Sequence, residues 1–167
     1  MIMKPELFLS LRQKIILVGG DHHARDLSEV AYKYLKKQGL NVKMVTYNEK
    51  LYDYIHQANL VAKKVSANPG KYCGIVGCNN GFGVTTVCNK YPSVYAVRCD
   101  NQQQARKARI VNYSNVLTFG ASFQNEQKIK KIIDLWLCTD FELSKKNTSR
   151  LKRLFKIEQK LNKSFRH

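Results

Sequence analysis

The sequence has no long hydrophobic run. Ile15-Ile16-Leu17-Val18 is as long as any, far below the ~20 residues a membrane-spanning helix needs, which excludes a transmembrane protein. Near the N-terminus the only apolar stretch is Leu7-Phe8-Leu9, set between Glu6 and Arg12 without a small-residue cleavage site, so no secretory signal is expected. Proline and glycine are sparse, 3 and 9 residues in 167, and 44% of the chain is apolar. That composition excludes a collagen-like or disordered chain and fits one folded domain. Cysteines number five, Cys73, Cys78, Cys88, Cys99 and Cys138, with no CxxC pair. An odd count in apolar surroundings points to reduced, mostly buried thiols in a cytoplasmic protein, not to a disulfide framework or a zinc site. The four histidines, of which His22 and His23 are adjacent, have poor metal-ligand spacing. No metal and no cofactor are expected.

Acid is also scarce. Lys and Arg total 29 against 12 Asp and Glu, a formal charge of +17, and nine of the bases with a single acid, Glu158, lie between Lys145 and Arg166. Such a surplus suits nucleic acid, an anionic membrane or small phosphorylated ligands, and a solvated tail helix accounts for it equally well. With no nucleic-acid-binding motif present, neither nucleic acid nor membrane is the expected partner.

What the chain does have is a hydrophobic period that switches repeatedly. Lys14 to Gly20 reads as a buried strand. Leu27, Val30, Ala31, Tyr34 and Leu35 then recur at helical spacing, stopped by Gly39. Val42 to Tyr47 is a second strand, and Tyr54, Ala58, Val61, Ala62 and Val65 mark a second helix closed by Asn68-Pro69-Gly70. Cys73 to Gly77 is a third strand, running into Asn79-Asn80-Gly81-Phe82-Gly83 and a short helix to Lys90. Val94 to Cys99, helical Gln102 to Val111, Val116 to Phe119 and helical Glu126 to Leu137 complete the alternation. Apolar strands alternating with helices predict an α/β protein with a five-stranded parallel sheet between two helical layers, a Rossmann-like α/β/α fold. This domain is expected over residues 1–142. Residues 143–167 form a basic C-terminal helical arm, with Leu151, Leu154, Phe155, Leu161 and Phe165 as an apolar stripe suited to packing on a partner subunit or on its own sheet.

In an open parallel sheet, ligands bind beyond the carboxyl ends of the strands. Two segments fall there. Cys78 ends strand three before a turn that opens a helix, where unpaired N–H groups and a partial positive charge favour a thiolate. Such a thiolate can act as nucleophile or as a base toward carbon, and the same N–H groups can hold an oxyanion. A buried strand-end cysteine without a role fits the same residues. Gly81 and Gly83 satisfy neither GxGxxG nor the Walker pattern. Asp21-His22-His23 after strand one can bond sugar hydroxyls or a phosphate, bind a metal, or cap a helix. Arg98, past strand four, is suited to a ligand or to a salt bridge with Asp100.

The collinear order strand-GDH, Asp53-Tyr54, strand-C-x-x-G-x-G with Asn89-Lys90 beyond it, then N-x-x-NVL-x-FG from Asn112, resembles the ribose-5-phosphate isomerase B / galactose-6-phosphate isomerase family from about Lys14 to Leu161. The resemblance implies a dimerising Rossmann-like enzyme with sites shared between subunits. It would interconvert aldose and ketose phosphates through a cis-enediol, without a metal. It implies that Cys78 is the base and that Asp21 contacts the sugar near its ring oxygen. His22 would lie on the phosphate side, with Tyr54 lining the sugar pocket. Gly81 and Gly83 would belong to an anion-holding turn, and Asn112 would reach in from a neighbouring subunit. Arg150, with Lys146 in place of a second arginine, would bind phosphate. Lysine supplies charge there without bidentate geometry.

The departures are definite. The family reads C-G-T-G where this chain has Cys78-Asn79-Asn80-Gly81, so an Asn80 amide replaces a threonine hydroxyl beside the enediolate and Asn79 replaces a glycine in the substrate turn. The family's ring-opening histidine is Val111 here, as an apolar residue stands there in the galactose-type B subunit, whose partner supplies the histidine. His23 and His56 are other imidazoles at hand. The expected assembly is a homodimer or homotetramer, or a hetero-oligomer with a histidine-bearing subunit. Ribose 5-phosphate ranks ahead of galactose 6-phosphate as substrate, and a non-catalytic family member, or a subunit that needs a histidine-bearing partner, is the alternative reading of Val111 and Asn79-Asn80.

Overall fold

A computed structural model describes residues 10–45 and 52–164. Five strands, β1 (Ile15–Gly20), β2 (Val42–Met44), β3 (Tyr72–Cys78), β4 (Ala96–Arg98) and β5 (Val116–Gly120), form one parallel sheet of order β2-β1-β3-β5-β4. Between and after them run α1 (Arg25–Lys37), α2 (Tyr54–Ala67), α3 (Phe82–Cys88), α4 (Gln102–Ile110), α5 (Glu126–Cys138) and α6 (Lys145–Ser164). The expected α/β architecture is therefore present.

Strand side chains alternate between two cores. Ile16, Val18, Ile75, Leu117 and Phe119 pack with Ala31, Leu35, Ala105, Ile129, Ile133 and Trp136 of α1, α4 and α5. Leu17, Val76 and Val116 pack on the other face with Ala58, Val61, Ala62 and Val84 of α2 and α3. Both faces are covered, which is why the strands read as continuous apolar runs. Three helices begin with a side-chain cap that the sequence carries openly: Asp53 accepts from His56 N, Asn101 from Gln104 N and Asn125 from Lys128 N.

Several boundaries shift from expectation. β2 ends at Met44, and positions 46 and 47 of the expected strand lie outside the described residues. β4 is shorter than Val94 to Cys99 because Asn115 intervenes. Its Oδ1 accepts from Tyr95 N at 2.8 Å and its Nδ2 donates to Ser93 O at 2.7 Å, taking groups a longer ladder would use. Cys138, expected to be buried, is exposed, and its Sγ accepts from Arg12 at 3.4 Å.

The basic arm does pack on its own chain. Leu151 and Phe155 join Tyr95, Tyr113 and Phe141 in a small third core, while Leu154 and Ile157 stay exposed. Glu158, the lone acid of the arm, accepts hydrogen bonds from Ser93 N and Tyr95 OH. Phe165 lies outside the described residues.

Candidate active site

The strand order reverses between β1 and β3, so the crevice at their carboxyl ends is where a ligand fits. Asp21 follows β1 directly and Cys78 ends β3. Asp21 is 3% exposed, and its Oδ1 accepts from His23 N at 3.0 Å and Ala24 N at 3.1 Å. One carboxylate oxygen thus shapes the turn into α1, where the N-cap residue Ala24 has no capping side chain. The His22 and His23 rings, both exposed, lie 4.0 Å apart at this edge.

Cys78 is 4% exposed and receives a hydrogen bond from Gly81 N at 3.1 Å. Gly81 holds φ +80, a left-handed conformation that turns its N–H back toward the sulfur. Asn80 Oδ1 accepts from Phe82 N at 3.1 Å, which leaves its NH2 as the donor end of an exposed side chain. Asn79 is tied sideways: its carbonyl accepts from Ser122 N at 3.0 Å and its Oδ1 from Ser122 Oγ. The turn is backed by Thr85, whose hydroxyl donates to Gly81 O at 2.6 Å and meets the Thr118 hydroxyl.

Gly83 lies in the first turn of α3. A Cβ there would stand 2.6 Å from the Tyr54 ring, so the missing side chain makes room for Tyr54 at the head of α3. Gln57, one turn along α2 from Tyr54, is 1% exposed, and its Nε2 has no partner among the described residues. It lines a cavity of 390 Å³ with Gly20, Ser28, Met44 and Tyr52. Sequence reasoning missed Gln57, Thr118 and Ser122, which become visible only once the strands are ordered. Away from this turn, burial pushes the thiols of Cys73, Cys88 and Cys99 up to about 12.

The other expected residues sit at the opposite edge. In a parallel sheet α4 returns the chain to the amino ends of the strands, and Val111 and Asn112 follow its last residue. Both are exposed. The start of α6 is held there too, Asn147 Nδ2 donating to Ile110 O at 3.2 Å. Lys146 and Arg150, both exposed, therefore stand near Asn112 and away from Cys78. A single chain carries two groups of the expected residues, Asp21, His22, Tyr54 and the 78–83 turn on one edge, and Asn112, Lys146 and Arg150 on the other. His56 is half-buried on α2.

The chain matches the family model described as Ribose/Galactose Isomerase over residues 16–154. It is 31% identical over 150 residues to ribose-5-phosphate isomerase B of Escherichia coli, covering 89% of this chain and 99% of that one. It is 30% identical over 128 residues to D-erythrulose-4-phosphate isomerase of Pectobacterium atrosepticum, covering 76% and 84%. Among solved structures, ribose-5-phosphate isomerase B from Mycoplasma genitalium with bound ribulose-5-phosphate superposes with a TM-score of 0.81 at 30% identity, covering 87% and 96%. A matched fold, a match over most of the chain and the collinear motifs around Asp21, Tyr54 and Cys78 lead to one conclusion: the chain belongs to the ribose/galactose isomerase family.

Proposed function

We propose that the chain is an aldose–ketose isomerase of a phosphorylated sugar, with ribose 5-phosphate and ribulose 5-phosphate as the first pair and galactose 6-phosphate and tagatose 6-phosphate as the second. The observation that carries this reading is the Cys78 thiol at the head of α3 with Gly81 N–H on its sulfur. That N–H gives the sulfur a hydrogen-bond donor in the position a thiolate would use. The thiolate takes the proton from C2 of the open-chain aldose, leaving a cis-enediolate whose O1 charge the Asn80 NH2 faces; the O2 hydroxyl proton passes to O1, and the thiol returns its proton to C1, leaving the carbonyl at C2. The free oxygen of Asp21 and the Tyr54 ring hold the sugar. General acid–base help of this kind is worth about 10²–10⁴-fold.

The phosphate is assigned to His22 from one subunit, and to Lys146, Arg150 and the nearby Asn112 from another. The division of these groups between opposite edges supports an assembly in which two copies share each site. Leu154 and Ile157, exposed on α6, supply apolar surface for that contact.

A second reading follows from Val111, 37% exposed where the family carries its ring-opening histidine: the chain works with a histidine-bearing partner. The purified chain is assayed on ribose 5-phosphate and galactose 6-phosphate, with Cys78→Ala beside it. Turnover that falls at least a hundredfold in the variant supports the first reading. A fully active Cys78→Ala removes Cys78 as the base. A folded but inactive wild-type chain that gains activity with a histidine-bearing relative supports the second.

A further inference from the structure

Three buried polar atoms that lack a hydrogen-bond partner among the described residues, Arg98 Nε, Asp100 Oδ1 and Gln124 Oε1, share one corner beside the Cys78 turn. Arg98 Nη2 stands 2.9 Å from Asp100 Oδ1, close enough for an ion pair yet outside hydrogen-bond alignment. Gln124 Nε2 donates to Asp100 O at 3.2 Å. Besides this ion pair the guanidinium meets two rings: its carbon lies 4.2 Å from the centre of Phe82 and 5.0 Å from that of Phe123.

Those rings are 58% and 52% exposed, so burial does not account for their placement, whereas a cation shared by both faces does. Phe82 is the first residue of α3, and its N–H donates to Asn80 Oδ1. Phe123 follows Ser122, whose N–H and hydroxyl are bonded to Asn79. Both rings thus extend from segments tied to the turn over the thiol, and Arg98 joins them to each other. The contacts close a circuit: Asn79, Ser122, Phe123, Arg98, Phe82, Asn80.

We infer that Arg98 is a positioning residue for Cys78, clamping Phe82 against Phe123 so that the 79–82 turn keeps the Gly81 N–H aimed at the sulfur. The kinetic consequence rests on the isomerase reading above; the geometry does not. Asn79 and Asn80, which stand where the family has Gly and Thr, are both members of this circuit. The clamp therefore explains how a substituted turn stays ordered.

The test compares Arg98→Leu, Arg98→Lys and Phe123→Leu with wild type, each checked for cooperative unfolding. The readouts are kcat, KM and amide hydrogen exchange across residues 79–83. Arg98→Leu is expected to speed exchange in that segment and lower kcat about tenfold with KM nearly unchanged, since small misplacements of reacting groups are costly. Arg98→Lys recovers part of both, and Phe123→Leu reproduces the loss with the arginine intact, which carries the test should Arg98→Leu not fold. Folded variants with wild-type exchange and wild-type kcat overturn the proposal. So does a rise in KM at constant kcat, which marks a substrate contact instead. If the wild-type chain isomerises no sugar phosphate, the functional reading fails while hydrogen exchange still decides whether Arg98 orders the turn.

Discussion

Cys73, Cys88 and Cys99 are buried between sheet and helices, and burial is the main cause that raises each thiol from 9.0 to about 12, with Asp100 adding to it at Cys99. Tyr113 is raised from 10.0 to about 12 for the same reason. In the unfolded chain these groups ionise near their ordinary values, whereas the folded chain keeps their protons. From pH 9 upward the folded state therefore binds more protons, and stability falls with rising pH by about 1.4 kcal/mol per pH unit for each thiol that titrates only when unfolded. Buried Lys14, lowered by desolvation, acts in the opposite direction as a single group. Denaturant midpoints measured between pH 8 and 10.5 are expected to drop, with the slope steepening above pH 9; a flat profile would contradict this. The placement of Asp21, Tyr54 and Cys78 was legible because each stands at a strand end or helix start marked by its neighbours. Cys138 was misread because Leu135-Trp136-Leu137-Cys138 is apolar in sequence, yet one step along a helix turns a side chain about 100°, out of the core. Arg98 gave no signal of its clamp, since Phe82 and Phe123 reach it only through the β5-β4 pairing.

The elements were legible wherever a period was long, and least so where a side chain replaced backbone pairing, as Asn115 does before β4. The 78–83 turn sits between these cases. Its Gly81 is required twice over: φ is +80, and a Cβ would stand 2.9 Å from Gly120 N and Phe119 C. Gly39, which ends α1, shares a left-handed φ of +74 but has nothing within 4 Å of a Cβ. Gly39→Ala is thus expected to cost only the conformational term, about 1 kcal/mol. Gly81→Ala adds a backbone clash, about 2 kcal/mol or more in all, and withdraws the N–H from Cys78. Thermal or urea unfolding of the two variants separates the terms, and kcat should fall in Gly81→Ala alone. Equal costs would mean that the strand β5 backbone yields to the turn.

Across the whole molecule, β-α alternation placed every expected site residue on the right kind of element but left open which end of the sheet each one reached. That depends on strand order and on where α6 docks, and both arise from contacts distant in sequence: Asn147 with Ile110, and Glu158 with Ser93 and Tyr95. The result is a chain with the Cys78 turn at one edge and Lys146 and Arg150 near the other. Under the proposed reading the site is complete only where two copies meet, and symmetric dimers are the commonest way for that to happen. The most direct measurement is complementation. Cys78→Ala and the double variant Lys146→Ala/Arg150→Ala are each assayed on ribose 5-phosphate, then unfolded together, refolded as a mixture and assayed again beside wild type treated the same way. Two nearly inactive variants are expected, and a mixture that regains about a quarter of wild-type activity, because half the dimers then hold one intact site. A mixture no more active than its components, beside active wild type, would contradict a site built from two chains.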